Sequence, residues 1–155
     1  MSQRRRRFPA GALLAAVLVA AAGAFVGLVV RSQARPDGPV PIVFDKEACA
    51  HCHMQIGDSH LAAQAQLQDG SVLNFDDPGC LLVWLEQVRE EPRAIWLRAY
   101  REDRWLSRAS TAFIEVGETP MGFGLGAVER GTPGGISWEE AAARVRGKRL
   151  ERGGS

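Results

Sequence analysis

Residues 62–80 read Ala62-Ala63-Gln64-Ala65-Gln66-Leu67-Gln68-Asp69-Gly70-Ser71-Val72-Leu73-Asn74-Phe75-Asp76-Asp77-Pro78-Gly79-Cys80. This stretch decides the fold class. A strand around Ala62 to Leu67 is followed by Asp69-Gly70, a two-residue hairpin turn, and Val72 to Phe75 form the return strand. Asp77 then stands as the N-cap of a helix with Pro78 at its first position. Leu81, Leu82, Leu85 and Val88 supply an apolar stripe at helical spacing, and Pro92 stops the helix. Ala94 to Tyr100 reads as a further strand.

The same order recurs downstream. Ala112 to Val116 and Gly122 to Val128 read as strands. A helix follows from Ser137, where Ser137 and Glu140 form a capping box and Trp138, Ala141, Ala142 and Val145 share one face. The expectation is an α+β domain of two strand–strand–helix units over residues 42–146, with 147–155 as a disordered tail.

Upstream, Arg4 to Arg7 form a basic block in segment 1–10, and Gly11 to Val30 run without a charged residue. Twenty such residues in a helix rise about 30 Å, the hydrocarbon thickness of a bilayer. The reading is a single-pass transmembrane helix at the cytoplasmic membrane. The arginines would lie in the cytoplasm and the C-terminal domain on the extracytoplasmic, periplasmic side. Ser32-Gln33-Ala34 would serve as a signal-peptide cleavage site, but a run of twenty favours an uncleaved anchor. Residues 31–41, with Pro36, Pro39 and Pro41, read as a semi-rigid linker.

Residues 1–35 hold six arginines and no acid, which leaves 13 basic and 18 acidic groups downstream, near −5. That sign argues against binding phosphate backbones, so no nucleic-acid partner is expected. Three cysteines are an odd number, and at least one thiol has no intramolecular disulfide partner.

The chemistry concentrates in Cys49-Ala50-His51-Cys52-His53-Met54. Cys49 and Cys52 have the spacing that lets two thiolates reach one ion. In an extended segment Cys52 and Met54 would share a face. Met121 lies in the turn-prone Thr119-Pro120-Met121-Gly122, where a methionine has little packing reason to be. Thiolate and thioether donors select Cu(I) over harder ions. A lone methionine is ordinarily core filler, yet two Cys, two His and a Met within six residues are improbable as packing. Cys80 stands near a helix N-terminus that favours a thiolate, although a small buried residue beside Leu81 explains it as well.

Cys49-Ala50-His51-Cys52-His53 also matches the c-type heme attachment pattern, with His53 proximal and Met121 distal. That alternative makes the protein an electron carrier with covalent heme. Against it, the chain after the motif reads as short strands, and Met54 and Cys80 go unused. A Cys-x-x-Cys thiol–disulfide catalyst is a third reading, weakened because Gln55-Ile56-Gly57-Asp58 is a poor helix start.

Three motifs in order resemble the NosL-like family of nitrous oxide reductase accessory proteins. They are Cys49-x-x-Cys52-x-Met54-x-Ile56 followed by Ala62-Ala63-Gln64, then Phe75-Asp76-Asp77-Pro78-Gly79-Cys80, then Thr119-Pro120-Met121-Gly122-Phe123-Gly124. The resemblance spans about residues 45–145. It implies a duplicated small α+β fold and a non-catalytic Cu(I)-binding copper chaperone. It further implies a denitrification setting, with nitrous oxide reductase as client metalloenzyme and a membrane transporter complex as partner. By position it implies Cys52, Met54 and Met121 as ligands. Cys49 also matches, and His53 and Cys80 are possible additions. Two departures stand out: family members are commonly lipoproteins, and His53 occupies a variable position.

Overall fold

The computed structural model describes residues 10–32 and 35–153. The chain divides into two units, 1–35 and 36–155. In the first, α1 spans Ala10–Ser32. Among the described residues, no helix is long and apolar enough to cross a membrane. This corrects the expected transmembrane helix over 11–30, and with it the single-pass, periplasm-facing location. The arginine block and the Gln33-Ala34 part of the cleavage site lie outside the described residues.

The second unit is a small α+β domain. β1 (Ala63–Gln66), β2 (Val72–Phe75), β3 (Ala94–Arg98) and β4 (Trp105–Ser107) form an antiparallel sheet in the order β2-β1-β3-β4. β5 (Thr111–Glu115) and β6 (Leu125–Glu129) form a second, two-stranded sheet. The Tyr100 amide joins the two by donating to the Ala127 carbonyl at 2.7 Å. α2 (Pro78–Leu85) follows β2, and α3 (Trp138–Gly153) follows β6. Two strand–strand–helix runs are therefore present, but β3 and β4 complete the first sheet between them. β4 was not legible, being three residues long and fixed only by its pairing with β3.

Local chemistry explains most boundaries. Asp77 caps α2 by accepting from the Gly79 amide at 2.7 Å, and Ser137 Oγ accepts from the Glu140 amide at 3.1 Å. The hairpin is longer than expected. The Leu67 amide donates to the Ser71 carbonyl, which leaves Gln68, Asp69 and Gly70 in the loop with Gly70 at φ +95°. A three-residue loop with glycine in the left-handed region is the next commonest hairpin solution. α2 ends at Leu85 rather than at Pro92. α3 continues to Gly153, correcting the disordered tail expected from residue 147.

The core gathers Phe75, Leu81, Leu97, Phe113 and Leu125 with Ala141 and Val145 of α3. β1 is buried on both faces. Ala63 and Ala65 enter this core, while the alternate residues Gln64 and Gln66 are also buried. Their amides hold part of the segment expected to be a semi-rigid linker. Gln64 accepts from the Val40 amide at 2.8 Å and donates to its carbonyl at 3.0 Å, and Gln66 donates to the Gly38 carbonyl at 2.6 Å. Two buried side-chain amides thus find partners in a backbone strap, which satisfies both.

At the start of α2, a Cβ on Gly79 would lie 2.2 Å from Phe123 Cδ2. Gly79→Ala is expected to lower stability by about 1–3 kcal/mol through overpacking, read as a lower urea midpoint with unchanged slope. Gln64→Ala is expected to speed hydrogen exchange at the Val40 amide before the core amides are affected. Unchanged exchange would mean that the strap is held by something else.

Candidate metal centre

The cysteine run is a closed loop, not an extended segment. Ala48 and Gln55 form an isolated antiparallel bridge, and the Cys49 amide donates to the Met54 carbonyl at 2.8 Å. The His53 amide returns to the Cys49 carbonyl at 3.0 Å, and His53 itself sits at φ +62°. This left-handed residue breaks the strand-like alternation that would have put Cys52 and Met54 on one face. The Ala50 amide anchors the loop to β2 through the Asn74 carbonyl at 2.8 Å.

A third sulfur arrives from elsewhere in the chain. Cys80 lies in the first turn of α2, its amide bonded to the Asp77 carbonyl at 2.9 Å. The Sγ atoms of Cys49, Cys52 and Cys80 all lie within 4.8 Å of one another. Cys49 and Cys80 are buried, Cys52 is partly exposed, and none forms a disulfide. A metal–sulfur bond of about 2.3 Å sets sulfurs in a trigonal site about 4 Å apart, so one ion fits among these three with little movement. The cluster can therefore bind a metal.

The thiols are electrostatically unequal. Cys49 is pulled down to about 4, first by the Cys80 thiol donating to it, with further help from the backbone amides of Cys52, Asp76 and His51. Cys80 is pushed up because its proton is held in that bond and because it is buried. Burial also raises Cys52. With Cys49 lowered and Cys52 and Cys80 raised, negative charge in the group is favoured on Cys49, at which several fixed donors are aimed. Hydrogen bonding to the charged form opposes the desolvation that burial would otherwise impose.

Of the residues singled out from sequence, the fold joins Cys49, Cys52 and Cys80. Met54 is 48% exposed. Met121 is partly buried and packs against the core cluster that contains Cys49 and Cys80. Neither His53 nor any other histidine or carboxylate belongs to the three-cysteine group. Cys80, signalled in the sequence by its place at a helix start and at the end of the Phe75–Cys80 motif, is a full member of the group. Asp77 does more than cap. Its Oδ2 accepts from the Met121 amide at 3.2 Å, and the Thr119 hydroxyl also donates to it. Burial raises Asp77 above the usual carboxylate range despite these donors.

No family model, curated protein or solved structure matches the chain. The centre is thus characterised by its own donor set: three sulfurs, buried on one side and open at Cys52.

The shared proton gives a signed pH dependence. Cys49 has a folded pKa below its ordinary thiol value, so its contribution to stability is complete above that value and is lost as pH falls through about 4. Cys80 is shifted the other way. Its contribution is present below the ordinary value and is lost in alkali. Thiolate ultraviolet absorbance should show one ionised sulfur persisting down to about pH 4. In Cys80→Ala that thiolate should protonate at higher pH. Three thiols titrating together near their ordinary value would contradict this picture.

Proposed function

We propose that the protein is a non-catalytic Cu(I) carrier that holds one ion at Cys49, Cys52 and Cys80 and passes it to a client metalloenzyme. The observation that carries this reading is the convergence of three sulfurs in one group without a histidine or carboxylate. Zinc ordinarily completes a tetrahedron with a further sulfur or imidazole, whereas an all-sulfur donor set suits soft, low-coordinate Cu(I). Met54 stands in the same loop, 48% exposed, and Met121 packs against the core cluster that holds Cys49 and Cys80; a three-sulfur site needs neither thioether. The resemblance of the three motifs to NosL-like proteins supports copper as cargo, with nitrous oxide reductase as client and a transporter complex as source.

The heme alternative has less support. Cys49 has no exposed surface and lies in the hydrophobic core, so a porphyrin thioether there requires the core to open. Cys80, which the heme pattern leaves unused, is instead in the sulfur group.

Anaerobic titration of the full chain with Cu(I) against a chromophoric chelator tests the proposal. About one ion per chain should bind, and replacing all three cysteines with serine should abolish binding. Binding should also release protons, up to two per ion, because Cys52 and Cys80 are protonated beforehand. Affinity should therefore rise with pH. A triple variant that binds Cu(I) like the wild type would refute the assignment. Heme that survives acid–acetone extraction after expression with heme-maturation machinery would establish the alternative.

A further inference from the structure

The three sulfurs differ in access as well as in charge. Cys49 and Cys80 are both 0% exposed, whereas Cys52 is partly exposed and is followed by His53 and Met54 at the surface. The two buried sulfurs are also the ones fixed from several directions. Cys49 receives the amides of Cys52, Asp76 and His51. Cys80 stands in a helical turn whose cap, Asp77, is buried and bonded to three groups from two segments. Cys52 belongs to the reversing part of a loop closed by the Ala48–Gln55 bridge and the Cys49–Met54 and His53–Cys49 bonds.

We propose that the centre is built as a buried pair plus one exchange ligand: Cys49 and Cys80 retain the ion, and Cys52 is the donor that an incoming sulfur displaces. This rests on the Cu(I) reading above and assigns the route by which the cargo leaves. A replacing ligand must come within bonding distance of the metal before the old bond breaks. Two of the three sulfurs present no surface to solvent, so approach is from the side of Cys52. The exchange involves no redox change. The incoming thiol loses its proton as its sulfur bonds to copper, the copper bond to Cys52 breaks, and the freed Cys52 sulfur takes up a proton. One bond forms and one breaks, and charge is conserved. The partner that fits is a protein presenting a thiol at an exposed position, able to meet the loop at residues 52–54.

The test uses the full chain loaded anaerobically with one Cu(I), the monothiol glutathione as incoming ligand, and a maleimide to label freed cysteines. Labelled positions are read by peptide mass analysis, and copper is counted after gel filtration. Glutathione should make Cys52 reactive while the ion remains on the protein, with Cys49 and Cys80 still protected. In the competition titration, Cys49→Ser and Cys80→Ala should each weaken Cu(I) binding by roughly 100-fold, and Cys52→Ser by roughly tenfold or less. Thermal unfolding of each variant separates ligand loss from misfolding, and the labelling experiment on the wild-type chain needs no variant at all. Labelling of Cys49 or Cys80 as fast as Cys52, or of Cys52 only with loss of the ion, overturns the inference while leaving the metal site intact. A wild-type chain that takes up no Cu(I) removes the carrier reading itself.

Discussion

The Asp77 carboxylate is the constraint around which the rest of the domain is arranged. It is fully buried, and a carboxylate in that position is tolerated only when fixed donors surround it. One oxygen takes the Gly79 amide and starts α2, the other takes the Met121 amide, and Thr119 adds its hydroxyl. Thr119 Oγ1 also accepts from the Gly124 amide at 3.1 Å. The helix that carries Cys80 is thereby bolted to the loop that carries Met121 and Phe123. The Phe123 ring lies close over Gly79, where no side chain would fit. From one buried carboxyl group follow the position of Cys80, the identity of residue 79 and the course of 119–124.

The other half of the centre is held by a different device. The loop of residues 48–55 closes on itself, reverses at His53 and is anchored to β2 by Ala50. Its amides turn inward on Cys49, while Asp76, at the end of β2, adds a further amide from outside the loop. A buried thiolate would be costly in apolar surroundings. Here the amides and the Cys80 thiol replace the water it has lost. Metal ligands held ready in this way are preorganised, so little ordering remains when an ion arrives.

How far the sequence revealed this depends on the range of the interaction. Caps and turns depend on neighbours within four residues. Asp77-Pro78 and Ser137/Glu140 were accordingly legible, and so was the hairpin apart from its exact length. The Cys49–Cys52 spacing was legible for the same reason. Cys80 is 28 residues beyond Cys52, and its approach is set by how α2 is anchored through Asp77 to the 119–124 segment, which no local pattern encodes. Gln64 and Gln66 alternate with the core-facing Ala63 and Ala65, a pattern that usually marks an exposed face. Their amides instead bind the backbone at Val40 and Gly38, a long-range pairing that local periodicity does not encode. For Met54 the extended-strand assumption failed at His53, a non-glycine residue with positive φ that sequence periodicity does not reveal.

On the proposed reading, three cysteine sulfurs and no harder donor hold Cu(I), and X-ray absorption at the copper edge of the Cu(I)-loaded full chain reads that donor set. The expected result is a sulfur-only first shell of three scatterers at about 2.2–2.3 Å, falling to two in Cys80→Ala. A first shell containing nitrogen or oxygen, or one unchanged by loss of Cys80, would contradict it.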